Sequence, residues 1–590
     1  MEIIFQNALA FYKKGQSEEA AQLLRQVLEM NPAHADSLYF LGIIAMDKGA
    51  FDVALDYLDK AHLLTPQNPD YIFSLAVALQ ETGRLSEALS YFEQIAHLPE
   101  AQNSIGNIYR AQGDNLKAMA AFDRALQLDS NMMWAMVNKA VLLRDTGHDK
   151  EALALLEKAT QTDAFFSGAW HQLGVQQQKT GDPDAALLSF EKALKLHPDE
   201  ALYWNDYGRL LAVKGRDEEA LAAFDKAVLA NRFSKEAYFN KGLVLEKMNR
   251  SDEAEQAYRD AIRCDHNFAN AYNNLGALLY KTGRVNEALE TYRQVFIIDP
   301  KHLEACFNLA VVLEDLEEYE EAAGLYFNVL SQKAYPEQVH VRLASLLPKW
   351  FAKGKNEAKE AGRFAQGWVK HFPDHPLARH TLNAFTGQPD DDTLFSYVQT
   401  FYNAFADSYD DKMKELDCRV PSLIQSILPA QTNLTILDLG CGTGACSSFL
   451  KPIAKKLIGV DASARMLEIA RQTRDYDVLE QKDILDYLTH TKTKFDLIIA
   501  ADVFCYMNKL DDVFKEVHQH LKAKGLFLFT VEANPDKADY QITPFGRYLH
   551  QKEYVERLLS HLHFTWSLQE VDLRKEGAGR AKGYLVSARK

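Results

Sequence analysis

Three glycines and two acids stand at spacings that could do chemistry. Gly440, Gly442 and Gly444 follow directly behind Asp438, and Asp461 lies about twenty positions further on. Glycine permits tight turning and lets backbone come close to a ligand. A carboxylate at that distance is placed to accept hydrogen bonds from both hydroxyls of a ribose. The elements that must hold these groups flank them. Leu434-Thr435-Ile436-Leu437 has the apolar, β-branched character of a buried parallel strand, and Ser447 to Ala454 continues as a helix. Lys456-Leu457-Ile458-Gly459-Val460 is the next strand and runs into Asp461. Strand, glycine turn, helix and strand together bind a nucleotide-like ligand at the carboxyl ends of the strands.

Gly440-x-Gly442-x-x-Ala445 also fits a dinucleotide fingerprint, whose third position accepts alanine. Asp438 separates the two readings. A pyrophosphate lying over the turn would be repelled by that acid. S-adenosylmethionine carries no phosphate, and its ammonium group would be favoured there. The string DLGCGTG, Asp438 to Gly444, resembles motif I of class I S-adenosylmethionine-dependent methyltransferases. The resemblance implies S-adenosyl-L-methionine as cofactor, held by Asp438, Gly440, Cys441, Gly442 and Gly444 at the turn and by Asp461 and Ala462 after the second strand. It also places Met466 against the cofactor, where a core contact is the other reading, and Asp483, with Ile484, at its adenine end.

The repeat in the first half is the second strong signal. Gly15, Gly49, Gly83, Gly113, Gly147, Gly181, Gly215 and Gly283 mark one turn at a period of 34, with Asn249 and Glu317 at the same place in two further units. Seven residues before each turn stands Gly or Ala, five after it Ala, and nine after it a bulky residue such as Phe122, Phe190 or Tyr258. Small residues let two helices approach, and the bulky residue is expected to fill the space between one pair and the next. The pattern resembles the tetratricopeptide repeat, with W-x-x-L-G legible at Trp170 to Gly174. About ten units fit residues 1–336. Arrays of this kind form a superhelix with a concave binding face. The resemblance turns Asn138, Gln172, Asp206, Asn240, Asn274 and Asn308 toward it. The amides of Asn240, Asn274 and Asn308 could hold an extended peptide backbone, or could satisfy local helix groups.

Residues 337–392 read as a degenerate repeat turning at Gly354, then a capping helix and a polar linker at Gln388-Pro389-Asp390-Asp391-Asp392. Residues 393–590 form the cofactor domain. Its first helix pairs Phe405 with Tyr409 at i and i+4, ordinarily a core arrangement. The order of repeats, aromatic helix and cofactor core is similar to a bacterial family of predicted methyltransferases fused to tetratricopeptide repeats. In such enzymes this helix lids the cofactor, which implies contact from Phe405 and Tyr409; Asn403 stands where an acid is usual. The expected fold is therefore multidomain: an all-α superhelix, then an α/β, Rossmann-like, seven-stranded domain.

Composition bounds the rest. The 590 residues carry a net charge of −16, and from Phe395 onward 26 basic and 26 acidic residues balance, so all of it sits on the repeats. That surface would repel nucleic acid, or serves simply to keep a long helical array soluble. The six cysteines show no metal-binding or disulfide spacing, which fits a reducing, cytoplasmic compartment and no metal. The first residues lack a basic region before an apolar core, and no apolar run is long enough to span a membrane. Asp502 follows the fourth strand, Phe495 to Ala500, as a cofactor or catalytic candidate. Methyl transfer to a protonated nucleophile needs a base. His550 is the first candidate, the other reading of it being a loop residue with structural hydrogen bonds, and Asp502, Tyr506 and Arg547 are further substrate-side groups. The expectation is a methyltransferase whose array recruits a protein or peptide. The alternative is an interaction scaffold whose cofactor domain does no chemistry.

Overall fold

The computed structural model describes residues 1–333, 336–388, 394–473, 475–576 and 579–590. Pro389 to Asp392 of the expected linker, and its boundary with the cofactor domain, lie outside the described residues. Two compact units are present, Met1–Ala271 and Tyr272–Lys590. The division falls within the helix Ala269–Lys281 rather than near residues 336 or 392. In an array where each repeat touches only its neighbours, a division between repeats breaks few contacts.

The first unit holds eight antiparallel helix pairs, from Glu2–Lys13 with Ser17–Met30 to Lys235–Lys247 with Ser251–Cys264. The turn residues read from the period adopt left-handed backbone, φ +76° at Gly15 and +59° at Asn249. Where the small residue is glycine, the bulky residue rests on it within its own pair, and it also packs against the next pair as expected: Phe122 clusters with Leu142. A Cβ on Gly106 would lie 2.5 Å from the Phe122 ring, and one on Gly174 2.8 Å from Phe190. The glycine is thus a seat for the ring.

The second unit continues the helix pairs with Val285–Ile298, Leu303–Asp315 and Tyr319–Ser331, where Glu317 takes the left-handed turn at φ +63°. Gly354, expected as a turn, instead has extended backbone (φ 171°) and precedes the helix Lys355–His371. Pro376–Thr386 ends the array, and the 22-residue helix Leu394–Glu415 leads into the sheet.

The strands are β1 (Leu434–Leu439), β2 (Ala454–Asp461), β3 (Val478–Gln481), β4 (Phe495–Ala500), β5 (Leu521–Ala533), β6 (Tyr540–Ile542), β7 (Tyr548–His550), β8 (Thr565–Glu576) and β9 (Gly579–Arg589). The order β3-β2-β1-β4-β5 is parallel throughout; β9 runs antiparallel beside β5 and pairs with β8. The order reverses at β1, so its carboxyl end is the switch point where such sheets bind ligands. Both faces are covered. Leu437, Leu439, Ile498 and Phe527 pack into one apolar layer, while Ile436, Leu457, Leu497 and Leu528 pack into the other. The seven expected strands all form. The short hairpin β6–β7 adds two more, with β7 pairing to the end of β5 through Glu532 and Ala533. Three-residue strands are too short to show an alternating pattern.

Candidate functional site

The turn after β1 is built as its residues require. Gly440, Gly442 and Gly444 all have left-handed backbone, at φ +66°, +54° and +94°. A Cβ on Gly440 would lie 2.5 Å from Val503, so the close approach of the segment after β4 also demands glycine there. The Gly442 amide donates to Asp461 Oδ2 at 2.9 Å and the Ser463 amide to Oδ1 at 2.8 Å. Asp461 thereby joins the ends of β1 and β2. Ser463 Oγ accepts from the Met466 amide at 3.1 Å and starts the next helix, as a cap should. Asp483 caps the helix Ile484–His490, its Oδ1 accepting from the Leu485 and Asp486 amides.

Two clefts open at this edge of the sheet. The first, of about 940 Å³, is lined by Asp461, Ala462, Met466, Asp483 and Ile484. The second, of about 1460 Å³, is lined by Asp438, Cys441 and Gly444. Gly440, Gly442, Tyr409 and Asp502 line both and mark where they meet. Eleven of the predicted cofactor residues thus come together with Tyr409 around one continuous space. Phe405 does not: it lines neither cleft and meets Tyr409 edge-on at 6.1 Å.

The acid ahead of the glycines is unusual. Asp438 is 1 % exposed and accepts a hydrogen bond from the Tyr476 hydroxyl at 2.7 Å. Burial pushes its carboxyl up to about 7, against the lowering effect of that bond and with some help from Asp461. In the sequence Tyr476 reads only as the first residue of the third strand, which in the structure begins at Val478.

The helix Leu394–Glu415 closes over the turn. Thr443 Oγ1 donates to Asp410 Oδ1 at 2.6 Å, and Arg465 pairs with Asp407 at 2.7 Å. Ser463 Oγ donates to Asn403 Oδ1 at 2.7 Å. The amide oxygen of Asn403 therefore accepts where a carboxylate was expected. Asp410 and Tyr402 were overlooked, although both lie in the aromatic and acidic stretch.

Where the two clefts meet, Asp502 adopts left-handed backbone (φ +57°), an uncommon state for a non-glycine residue. Its Oδ1 accepts from Arg547 Nη2 at 2.7 Å. Arg547 also donates to Glu532 and, through Nη1, to the Tyr506 hydroxyl at 2.7 Å. Arg574 Nη1 reaches Glu532 at 2.7 Å. Burial favours a neutral Glu532, but Arg547 and Arg574 outweigh it and hold the carboxyl below its usual range. Asp502, Cys505 and Glu532 offer atoms within 4.8 Å of one another, as a metal site would. The Arg547 guanidinium already occupies the space facing both carboxylates.

His550 is not in this cleft. It is fully buried in β7, with Nε2 donating to the Asn508 carbonyl at 3.1 Å, and burial depresses its pKa to about 4. It lines neither cleft, so the structure gives it no access to an acceptor. The array amides pair with one another. Asn240 Nδ2 donates to Asn205 Oδ1 at 2.9 Å, Asn308 to Asn273 at 3.1 Å, and Asn273 to Asn274 at 3.3 Å.

The fold is thus an α/β domain with clefts at its switch point, joined to an array of helical hairpins. Comparison with known families makes this specific. Residues 411–576 match the methyltransferase domain, and residues 5–132, 172–238, 109–174, 269–302 and 305–338 match tetratricopeptide repeat families. The chain therefore carries a methyltransferase domain behind tetratricopeptide repeats. A probable S-adenosylmethionine-dependent methyltransferase of Saccharomyces cerevisiae is 27% identical over 149 residues, 24% of this chain and 51% of that one. A malonyl-[acyl-carrier protein] O-methyltransferase of Enterobacter lignolyticus is 27% identical over 146 residues, 25% and 57% of the two chains. The chain spans about half the length of these curated relatives. Among solved structures, a tetratricopeptide repeat protein of Parabacteroides merdae is 19% identical, covering 41% of this chain and 98% of that one at a TM-score of 0.36. YrrB, described as having an unusual peptide-binding site, is 26% identical, covering 31% and 95% at 0.27.

Proposed function

We propose that this protein is an S-adenosyl-L-methionine-dependent methyltransferase whose repeat array recruits a protein or peptide. One observation carries the reading: a buried acid and a ribose-spaced acid flank a glycine turn where two clefts meet. The donor set suits this cofactor. Asp438 gives the second cleft a buried carboxyl whose charge an ammonium would restore. Asp461 and Asp483 keep unshared lone pairs toward the first cleft for hydroxyl and amino donors. A pyrophosphate finds less. Among the described residues lining the two clefts, the cations are Lys414 and Lys482, already 3.1 Å from Asp411 and 3.2 Å from Glu480. When bound, the cofactor supplies an electrophilic methyl group. The chain's part is to orient it beneath Tyr409 and to exclude water with the helix Leu394–Glu415.

Each array amide keeps a second N–H after pairing, which suits a peptide backbone. Labelled methyl transfer from the cofactor into a proteome tests both halves of the reading. The full chain should label protein, and Asn240→Ala/Asn274→Ala/Asn308→Ala should abolish that labelling while leaving cofactor affinity unchanged. The scaffold reading is favoured by the pairing of Asp502 with Arg547 and the burial of His550; cofactor binding with no transfer to any acceptor would establish it.

A further inference from the structure

Tyr402 and Tyr506 share a hydrogen bond between their hydroxyls at the wall of the first cleft, and Arg547 donates to Tyr506 from behind. The protons can be counted. Two phenols carry two, and one of these lies between the two oxygens. The guanidinium uses its own proton. One phenolic O–H therefore remains to be donated, and accepting from a guanidinium strengthens it. The wall beside the pair is apolar, formed by Leu394, Phe395, Val398 and Met507. Among the described residues at this end, neither candidate base is available: Asp502 is held by Arg547 and His550 is sealed in β7.

Resting on the methyltransferase reading above, we propose that the methyl acceptor is a carboxylate on an apolar body, received by the Tyr402–Tyr506 pair. A carboxylate lone pair forms the new O–CH3 bond while the S–CH3 bond breaks, its electron pair staying on sulfur. The negative and positive charges cancel, leaving a neutral ester and a thioether, and no proton moves. Such an acceptor needs no base, which suits an end of the cleft where neither candidate base is available. A protonated amine would have to lose a proton first, and the carboxylate beside the pair, Asp502, is already engaged by Arg547.

The test uses the full chain saturated with S-adenosylhomocysteine and two probes of matched shape, 4-phenylbutanoate and 4-phenylbutylamine, with binding followed by ligand-observed NMR. The carboxylate should bind and the amine should not. With S-adenosylmethionine, only the carboxylate should yield a methyl product. Tyr402→Phe or Tyr506→Phe alone leaves one hydroxyl and should weaken binding little. The double variant removes the donor and should weaken it about 10- to 100-fold, with S-adenosylhomocysteine affinity unchanged as the sign of an intact fold. Preferential binding or methylation of the amine would overturn the proposal, as would binding of neither probe to the loaded protein. Failure of S-adenosylhomocysteine itself to bind would instead remove the methyltransferase reading, and this inference with it.

Discussion

His380 Nε2 donates to the carbonyl oxygen of Gly546 at 2.9 Å, joining the last array helix to the turn that carries Arg547. The same imidazole stacks on Tyr397 of the closing helix, with ring centroids 3.7 Å apart. A Cβ on Gly546 would lie 2.7 Å from that nitrogen, so the contact leaves no room for a side chain. His380→Ala should cost about 2–3 kcal/mol by unpairing a buried carbonyl and removing a ring stack. Scanning calorimetry should show a lowered midpoint for the transition that S-adenosylhomocysteine protects. An unchanged midpoint would show that the contact contributes nothing to the domain.

The seats under the array's rings should set the sign of two glycine substitutions. Gly106→Ala gains up to about 1 kcal/mol of helix propensity but forces a methyl into the Phe122 ring, an overpacking cost of about 1–3 kcal/mol. Net destabilisation is expected. Gly324 lies in the helix Tyr319–Ser331 with open space where its Cβ would be. Gly324→Ala should therefore stabilise, by about 0.5–1 kcal/mol. Urea denaturation of both variants checks the pair, and the same sign in both would contradict the packing account.

Asp438 should make cofactor binding pH-dependent. Because its folded-state pKa is raised to about 7, the empty domain holds a proton that the unfolded chain has released above about pH 4. That contribution favours folding at low pH and is lost as pH rises toward 7. An ammonium ligand requires the ionised form. Affinity should rise up to tenfold per pH unit below about 7, then fall above about pH 8 as the ligand's α-amino group loses its proton. Asp438→Asn should flatten the lower limb. Calorimetry in buffers of different ionisation enthalpy should detect the released proton below about pH 7 in the wild-type chain only.

Asp483 serves two purposes that substitution can separate. Asp483→Ala should lose both the cap and any ligand contact, costing about 0.5–2 kcal/mol in stability. Asp483→Asn keeps the capping oxygen, so stability should hold while cofactor affinity falls. Equal affinity in the Asn variant would confine Asp483 to capping.

Much of this was legible in the sequence because it rests on local spacing. The period of 34 located even the non-glycine turns at Asn249 and Glu317, since the helix pair leaves only one position where the chain can reverse. The glycine turn and Asp461 were equally legible, because each is fixed by the end of a strand. Gly354 misled because a glycine in extended backbone looks the same in sequence as one in a left-handed turn. His550 misled for a different reason. Its type suits a base, but β7 pairs with β5 and turns the ring into the core, which no local pattern records. The Asp410–Thr443 and Tyr402–Tyr506 contacts span 33 and 104 positions. Only the fold brings such residues together.

The central claim is that the clefts meeting at Gly440 hold S-adenosylmethionine. Calorimetric titration of the full chain with S-adenosylmethionine, S-adenosylhomocysteine and NAD, alongside Asp461→Ala, tests it most directly. Binding of the first two in the micromolar range, no binding of NAD, and loss of binding in a variant that remains folded by circular dichroism are expected. Binding of NAD in their place, or of none of the three, would contradict the account.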